Sequence, residues 1–412
     1  MPKPIILSSK QHTISQQQIS TNALTVLQKL HQAGFRSLLV GGAVRDLLLN
    51  QKPKDFDVVT NATPEQISRL FHNCRLIGRR FRLAHVCFGR DIIEVATFRG
   101  HHQQTHKGFV KRDNIYGEIE EDALRRDFSI NALYYDIADA SILDYASGLK
   151  DLKNKQIILL GNPKERYPED PVRMIRAIRF AAKLGFEIEK HSQQLIYKQA
   201  HLLKEVPPAR LFEEVLKLFL GGEAVKTLAL LRQYQLFHFL FPLTEKNLQQ
   251  APPFAEKLIQ IGMKNTNKRI KEGKPVTPSY LYALFLWETV RINTEKIIKK
   301  GLHPYPALQE AMSNCIAKQQ KSISIPKRIT AQMREIWTLQ YRFENSSTKK
   351  SVALLDHPRF RAAYDFLLLR AEVGEIETHW AKYWTQLQLD QGLDPKNKKS
   401  KYHHKRHPKY KK

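Results

Sequence analysis

The pattern of apolar residues changes once along this 412-residue chain, near residues 160 to 170. Before that point, short apolar runs alternate with segments whose apolar residues recur at helical spacing, which indicates a mixed sheet with helices. After it, long amphipathic patterns dominate, as in VRMIRAIRFAAKLG, ARLFEEVLKLFL and FRAAYDFLLLRAEV. We therefore predict an α+β chain with a mixed-sheet head over 21–165, a helical neck over 166–240 and a helical body over 241–394.

Local signals place several elements of the head. Ser20 is suited to cap a helix over TNALTVLQ, and TPEQ at 63–66 has the form of a capping box. FRSLLV predicts a buried strand, LAHVCFG and IIEVATF predict two strands joined around Gly89, and DALRRDFSINALYY predicts a helix. Segment 100–117 has no periodicity and is predicted to be a mobile loop, with a metal site at its histidines as the less favoured alternative.

The two ends and the net charge restrict the class of partner. Residues 1–20 are rich in Gln and Ser and are predicted to be flexible, whereas 395–412 carries eight Lys and one Arg without an acid and is predicted to be a basic disordered tail. The whole chain has 67 Lys and Arg against 40 Asp and Glu, a net charge of +27. Such a field attracts nucleic acid, acidic lipid surfaces or acidic proteins, and nucleic acid is the favoured partner.

No apolar run approaches the roughly 18 to 20 residues that a membrane-spanning helix needs. The N-terminal residues also lack the apolar core of a signal peptide. We therefore expect no membrane span and a cytoplasmic location.

Two carboxylates flank Phe56 in the segment KPKDFDVVT. If this segment is a strand, Asp55 and Asp57 project from the same face, where they repel each other unless a cation lies between them. A solvated strand face is the alternative explanation. Glu94, in the apolar segment IIEVATF, would add a third carboxylate if that strand pairs beside the first. Ligand sets made of oxygen atoms suit Mg²⁺, which shares its coordination with substrate phosphates and water.

A glycine pair precedes these carboxylates in the segment LLVGGAVRD. A strand that runs into Gly41 and Gly42 and then into a helix lets backbone N–H groups approach a phosphate, and Arg45 would add a bidentate anion contact. Glycines also occur at such turns for steric reasons alone. Together with Asp55 and Asp57, however, the turn predicts a site for a nucleoside triphosphate and a metal ion, which is the composition of a nucleotidyl-transfer site.

Five segments of the sequence, in the order in which they occur, resemble the motifs of class II nucleotidyltransferases. This group contains bacterial poly(A) polymerases and tRNA CCA-adding enzymes. The resemblance rests on LLVGGAVRD, KDFDVVTNATPEQI, IIEVATFR, EEDALRRDFSINAL and YPEDPVRMIRAIRFAAKLGF. Within that group, NCRLIGRRFRLAHVCFG, FRGHH and VPPARLFEEVLKLF, together with the basic tail, are most similar to bacterial poly(A) polymerases. The resemblance implies a nucleotidyltransferase head, a neck that contains a base-recognition helix, and a helical body that binds RNA.

The resemblance also implies the metal chemistry. Asp55 and Asp57 would hold two Mg²⁺ ions that activate an RNA 3′-hydroxyl for attack on the α-phosphate and stabilise the departing pyrophosphate. Asp127, in RRDFSINAL, matches a family position in the active site, and Glu94 is the geometric candidate for the remaining carboxylate; the choice between these two stays open.

The nucleotide contacts implied by the resemblance come from three segments. Gly41, Gly42 and Arg45 would hold the triphosphate, and Arg126 would reach the ribose or a phosphate. In EDPVRMIRAIR, Asp170 and Arg173 match the pair that reads the base edge, with Glu169 beside them. Further along the same helix, a nucleotide or RNA phosphate would meet Arg176 and Arg179, for which a solvated basic face is the alternative.

The function implied is a template-independent poly(A) polymerase that adds AMP from ATP to RNA 3′ ends, promotes RNA decay and works with RNA-decay partners. A CCA-adding tRNA nucleotidyltransferase is the alternative within the enzyme class. An RNA-binding protein that has lost catalysis is the alternative from another class, and it is disfavoured because the glycines, arginine and aspartates of the motifs are intact.

Overall fold

The computed structural model describes residues 3–78, 82–100, 116–250 and 252–395. The chain divides into two compact units, the first formed by 1–206 with 233–235 and the second by 207–232 with 236–412. Most of the predicted mobile loop, with its histidines, and nearly all of the predicted basic tail lie outside the described residues.

The first unit contains every described strand. They are β1 Ile5–Leu7, β2 Ser37–Val40, β3 Asp57–Thr60, β4 Cys74–Ile77, β5 Leu83–Phe88, β6 Asp91–Thr97, β7 Leu133–Asp136, β8 Ile142–Asp144, β9 Gln156–Ile157 and β10 Glu187–Ile188. Its helices are α1 Thr21–Gln32, α2 Gly42–Leu48, α3 Pro64–Leu70, α4 Ile119–Arg125, α5 Gly148–Lys153, α6 Pro163–Glu169, α7 Val172–Leu184 and α8 Lys190–Gln199.

Eight strands form one mixed sheet in the order β1-β8-β7-β2-β3-β6-β5-β4. The β3–β6 pair is parallel, whereas the other neighbouring pairs are antiparallel. A separate parallel pair joins β9 to β10. The core of the unit packs residues of the central strands, such as Leu38, Val59 and Tyr134, against Ile119 and Ala123 of α4. The predicted mixed-sheet head is confirmed.

The local capping signals are confirmed. Ser20 accepts a hydrogen bond from the backbone N–H of Ala23 at the start of α1. At the start of α3, the Thr63 side chain accepts from the Gln66 N–H while the Gln66 side chain accepts from the Thr63 N–H. Each cap satisfies N–H groups that the first helical turn leaves without a partner.

Three predictions about the head are wrong in part. The flexible N-terminal segment 1–20 contains β1, because the outer edge of β8 offers unpaired backbone groups to which Ile5–Leu7 adds. The predicted helix DALRRDFSINALYY ends at Arg125, and its last residues form β7. Tyr134 and Tyr135 are fully buried there between β2 and β8, and such aromatic residues favour a packed sheet.

The third correction concerns the strand that carries the aspartates. Asp57 is the first residue of β3, and Asp55 lies two residues before it. Pairing with β2 ends at the Val40–Asp57 pair, because β2 turns away at Gly41. The rule of alternating strand faces therefore does not apply to Asp55.

The described elements of the second unit are helices, as predicted. They are α9 Pro208–Phe219, α10 Ala224–Gln233, α11 Phe237–Leu240, α12 Pro242–Leu248, α13 Pro253–Lys271, α14 Pro278–Ile298, α15 Pro304–Gln319, α16 Lys327–Asn345, α17 Thr348–Leu354, α18 Phe360–Glu372 and α19 Thr378–Asp390. One of its cores gathers buried aromatic side chains such as Phe343, Tyr364 and Trp384. Within the described ranges of the chain, none of the helices is both long and apolar enough to span a bilayer.

Candidate active site

The site is built on the parallel β3–β6 pair, in which Val58 faces Val95. This register places Asp57 beside Glu94, each one residue earlier in its strand. The Asp57 side chain is accessible to solvent, but the surrounding protein removes much of the bulk water near it. That desolvation, with the negative charges of Glu94 and Asp55 and against the opposing charge of Arg126, raises the pKa of Asp57 to about 6. The three predicted carboxylates Asp55, Asp57 and Glu94 are therefore close enough for their charges to interact.

Glu94 and Asp127, the two candidates for a further carboxylate, have different surroundings. The Glu94 side chain is 51% exposed, and its Oε1 lies 3.6 Å from Nε2 of His85 on β5. The Asp127 side chain is 9% exposed and forms an ion pair of 2.7 Å with Arg176 of α7. Asp127 Oδ1 also accepts a hydrogen bond from the Phe128 N–H at 2.8 Å. Asp127 is thus held by protein groups, whereas Glu94 lies open beside Asp57.

The glycine turn connects β2 to α2. Gly41 has φ 73° and ψ −128°, a conformation that residues with a Cβ rarely adopt. A Cβ built on Gly41 would lie 3.5 Å from Nη1 of Arg126, so the guanidinium group of Arg126 faces this turn. The remaining nitrogens of Arg126 donate to Asp122 Oδ2, at 3.1 Å and 2.8 Å, and to the Tyr134 hydroxyl at 3.0 Å. Arg126 is therefore fixed in place with one edge directed at the turn.

Arg45, which was predicted to contact an anion, lies at the glycine turn and bonds protein groups. It is 3% exposed, and its Nε and Nη2 donate to Asp46 Oδ1 at 2.8 Å and 2.6 Å. Its Nη1 donates to Asn131 Oδ1 at 2.5 Å, and Lys183 Nζ donates to the other oxygen of Asp46. The bidentate contact predicted for an anion is made with Asp46. In this structure Arg45 ties the turn to the segment that follows α4.

The segment predicted to read the base lies at the end of α6 and the start of α7. Asp170 follows α6, and its Oδ1 accepts from the Val172 N–H at 3.3 Å. Arg173 Nη1 donates to Glu169 Oε2 and to the carbonyl oxygen of Arg166, each at 2.7 Å. Burial opposes the ionisation of Glu169, but Arg173 and Arg166 outweigh it and lower the pKa of this carboxyl group. Glu169 is a charged anchor for Arg173.

The other arginines of α7 follow Arg173 along the helix. Arg176 forms the ion pair with Asp127 described above. The guanidinium group of Arg179 lies 4.8 Å from the ring centroid of Phe180. Sequence reasoning missed Arg166, whose side chain contacts both the Arg126 and the Glu169 segments. Arg166 and Glu169 lie three residues apart on α6, a helical spacing that could have revealed their ion pair. Arg173 reaches Glu169 from α7, across the break in the helix at Asp170.

Comparison with known proteins identifies the family. Models described as "Poly A polymerase head domain", "Probable RNA and SrmB- binding site of polymerase A" and "Polymerase A arginine-rich C-terminus" match residues 37–158, 185–248 and 300–412. Poly(A) polymerase I of Escherichia coli O6:H1 is 48% identical over 410 residues, which cover 96% of this chain and 88% of the relative. The chain belongs to the poly(A) polymerase family. The family resemblance inferred from the motifs is confirmed, and the chain is a nucleotidyltransferase.

Other relatives show how the match varies within the wider group. Poly(A) polymerase I of Haemophilus influenzae is 45% identical, over 96% of this chain and 93% of the relative. A CCA-adding enzyme of Lactobacillus helveticus is 37% identical, but over 58% of this chain and 57% of the relative. The crystal structure of the Bacillus stearothermophilus CCA-adding enzyme in complex with CTP superposes with a TM-score of 0.61 at 24% identity, over 89% and 82% of the two chains. This poly(A) polymerase family member shares its fold with CCA-adding enzymes.

A divalent cation fits the carboxylates of this family member. Negative charge from Glu94 and Asp55 raises the pKa of Asp57 beyond the effect of burial, and a cation would relieve that repulsion. Across the ranges that the structure describes, no group of three or more His, Cys, Asp and Glu side chains is arranged to hold a metal. Mg²⁺ commonly completes its coordination with phosphate oxygens and water.

Proposed function

We propose that the protein is a template-independent poly(A) polymerase that transfers AMP from ATP to RNA 3′ ends. The observation that carries the proposal is the 45% to 48% identity to proteins named poly(A) polymerase I over 96% of the chain. In the reaction, the RNA 3′-oxygen forms a bond to the α-phosphorus of ATP, and the bond from that phosphorus to pyrophosphate breaks. The hydroxyl proton passes to solvent.

The metal-binding role is assigned to Asp55 and Asp57. When bound there, two Mg²⁺ ions supply a lowered pKa for the 3′-hydroxyl and charge neutralisation for the leaving pyrophosphate. Asp57 lies at the start of a central strand, where its backbone pairs with Val40 of β2. Because the pKa of Asp57 is about 6, its side chain is mostly a carboxylate at neutral pH.

The triphosphate is assigned to the turn between β2 and α2. Gly42 brings no side chain to the start of α2, and Arg126 directs Nη1 towards this turn. The Gly41 N–H already donates to the carbonyl oxygen of Leu133 at 3.1 Å, so Gly41 contributes the shape of the turn. Arg126 would contact a phosphate or the ribose without moving, since its other nitrogens are already bonded. Arg45 supports the turn through Asp46 and Asn131 instead of contacting the nucleotide.

Selection of the base is assigned to Asp170 and Arg173. Both are polar groups at the junction of α6 and α7, and Glu169 fixes the guanidinium group of Arg173. A site that hydrogen-bonds a substrate rejects analogues because its polar groups would stay without partners. Arg176 and Arg179 remain candidates for contacts with nucleotide or RNA phosphate at the edge of this site.

The remaining carboxylate role is assigned to Glu94, on the ground of its open position beside Asp57. Asp127 would act through its ion pair with Arg176, which joins the segment after α4 to the base-reading helix. Glu94→Gln and Asp127→Asn separate these roles. Glu94→Gln should lower kcat with unchanged thermal stability, whereas Asp127→Asn should also lower the melting temperature, because it breaks an ion pair of a largely buried carboxylate.

The test of the function is incubation of the purified protein with Mg²⁺ and either an unstructured RNA or a tRNA that lacks its CCA end, with each of the four nucleoside triphosphates in turn and with all four together. Long tails of A on many RNAs support the proposal. Addition of three residues to tRNA alone supports a CCA-adding enzyme, which the shorter match to such enzymes disfavours. Tight RNA binding without incorporation of any nucleotide supports a non-catalytic RNA-binding protein.

The proposal extends to the setting of the reaction. A polymerase that accepts many 3′ ends adds unstructured tails, on which exonucleases of RNA decay can begin, so partners in RNA decay are part of the proposal. We propose that the reaction takes place in the cytoplasm, where RNA and ATP occur together.

A further inference from the structure

Arg166 of α6 uses all three of its guanidinium nitrogens. Its Nε donates to the carbonyl oxygen of Leu160 at 3.0 Å. Its Nη2 donates to the carbonyl oxygens of Arg125 and Arg126 at 2.8 Å and 3.0 Å, and its Nη1 donates to Glu169 Oε2 at 2.6 Å. The side chain is 18% exposed. A planar donor group with four acceptors around it is held in one orientation.

One end of this network fixes the exit of the chain from α4. That helix ends at Arg125, and Arg126 follows in an extended conformation with φ −61° and ψ 172°. The last carbonyl groups of a helix have no partner within it. Arg166 binds two carbonyl groups at this point, and thereby sets the direction in which the backbone of Arg126 leaves the helix. The guanidinium group of Arg126, which faces the Gly41 turn, depends on that direction.

The other end of the network fixes Arg173. Glu169 Oε2 accepts from both Arg166 and Arg173, and Arg173 Nη1 also donates to the backbone carbonyl of Arg166. Loss of the Arg166 side chain would leave Glu169 with a single cation and free the end of α6 from the segment of Arg126. Arg173 would keep its two acceptors, Glu169 and the backbone carbonyl of residue 166, but Glu169 itself would no longer be held in place by Arg166.

We infer that Arg166 is a positioning residue that couples the base-reading end of the nucleotide site, at Glu169 and Arg173, to the phosphate end, at Arg126. This inference rests on the proposed function of the same site. Because one guanidinium group holds both ends, Arg166 sets the distance between the group that reads the base and the group that aligns the triphosphate. Discrimination between bases and the rate of transfer therefore depend on the same side chain.

The test compares Arg166→Met, Arg166→Gln and Arg166→Lys with the unchanged protein. The measured quantities are kcat and KM for ATP, the ratio of kcat/KM for ATP to that for CTP, RNA affinity, and the melting temperature. Misplacement of reacting groups by about 1 Å can cost roughly 100-fold in rate. We expect kcat to fall by about that factor in Arg166→Met, the ATP preference to fall with it, and RNA affinity to stay unchanged.

Arg166→Lys tests geometry against charge. Lysine keeps the positive charge but presents a point donor that cannot span two carbonyl groups and a carboxylate. The lysine variant should therefore stay defective in both kcat and ATP preference. Methylguanidinium added to Arg166→Ala should restore part of both. If the larger truncations do not fold, the lysine and glutamine variants keep part of the network and remain measurable.

A matched control is Arg291→Met in the second unit. Like Arg166, Arg291 is a partly buried arginine whose guanidinium group bonds several protein oxygen atoms, in its case the carboxylates of Glu288 and Glu295. We expect this change to lower the melting temperature while leaving the ATP preference as it is. An equal loss of ATP preference in Arg291→Met would overturn the inference, because the effect would then follow from general destabilisation.

Two further outcomes would overturn the inference. Full activity in Arg166→Lys would show that charge alone matters, and an unchanged ATP preference in a folded, slower Arg166→Met would show a purely structural role. If the unchanged protein adds no A residues to RNA, the proposed function fails before any variant is compared. If it adds them and the variants match it, only the role of Arg166 fails.

Discussion

Gly41 and Gly42 are neighbours in the turn between β2 and α2, yet substitution of each by alanine should change the stability of the protein in opposite directions. Gly41 has φ 73° and ψ −128°, whereas Gly42 is the first residue of α2 and has no positive φ. A Cβ on Gly41 would meet Arg126 Nη1 at 3.5 Å, and a Cβ on Gly42 would meet Arg45 Nη2 at 3.5 Å. Both distances are ordinary contacts, so the difference between the two variants comes from the backbone and not from a steric clash.

The magnitude follows from the two conformations. Holding alanine in the conformation of Gly41 costs about 1–3 kcal/mol. The reduced entropy of the unfolded chain offsets about 0.4–1 kcal/mol of that cost, which leaves a net loss of roughly 1 kcal/mol. Gly42→Ala should be stabilising by about 0.5–1 kcal/mol, because glycine is the weaker residue in a helix. The two variants should thus differ by about 2 kcal/mol, or roughly 4–8 °C in melting temperature for a domain of this size.

Activity should separate from stability in the same pair. If the N–H groups of the turn approach a phosphate, the new methyl group of Gly42→Ala crowds that phosphate and raises KM for ATP, although the protein is more stable. Thermal unfolding, followed by calorimetry so that the transitions of the two units can be distinguished, gives the stability order. Steady-state AMP incorporation gives kcat and KM.

The reasoning would be refuted by equal melting temperatures for the two variants, or by a more stable Gly41→Ala. Either result would mean that the positive φ of Gly41 is not required by the fold. An unchanged KM for ATP in Gly42→Ala would instead show that the phosphate does not bind at this turn. The stability argument would be unaffected.

Three other predictions concern separate parts of the protein. Asp57→Asn should abolish AMP incorporation without lowering the melting temperature of the metal-free protein at pH 8. The pKa of Asp57 in the folded protein is about 6 and exceeds the ordinary 3.8, so its contribution to stability is present below pH 3.8 and is lost as the pH rises through 6. A lower melting temperature for the variant at pH 8 would contradict this direction of the pH dependence. Arg173→Ala should reduce the preference for ATP over CTP and GTP more than it reduces RNA affinity, and an equal loss for all nucleotides would place Arg173 on a phosphate. Deletion of 395–412, which removes nine positive charges, should flatten the slope of log affinity against log salt for RNA by roughly 3 if about half of them meet phosphates, at about 0.7 each. Equal slopes in a salt titration of the full-length and truncated proteins would leave the tail as a solubilising end.

Interactions between residues close in sequence were predictable. The Thr63–Gln66 capping box and the cap at Ser20 involve partners three residues apart, so the residue types alone identify them. The change from a mixed sheet to helices was equally readable, because helices and strands impose different periods on apolar residues. The glycine turn and the aspartates were also recognisable from the sequence, whereas base reading by Asp170 and Arg173 rests on the family resemblance and stays a prediction.

The arginine partners required the tertiary structure. Arg45 bonds Asn131 across 86 residues, and Arg166 bonds the carbonyl groups of Arg125 and Arg126 across 41 and 40 residues. A guanidinium group binds whichever carboxylate or carbonyl oxygen the fold brings near it, and many such oxygens compete for it. The sequence therefore predicted that Arg45 contacts an anionic ligand, whereas in the folded protein Arg45 bonds the carboxylate of Asp46.

For the carboxylates, too, the sequence predicted part of the arrangement and the tertiary structure decided the rest. The sequence by itself indicated that the two aspartates lie at an apolar strand and that Glu94 lies within another. The register of the parallel β3–β6 pair placed the two side by side, and the end of the β2 pairing left Asp55 outside the strand. Register depends on hydrogen bonds between backbones that are distant in sequence, and a shift of one residue would move Glu94 to the opposite face of the sheet.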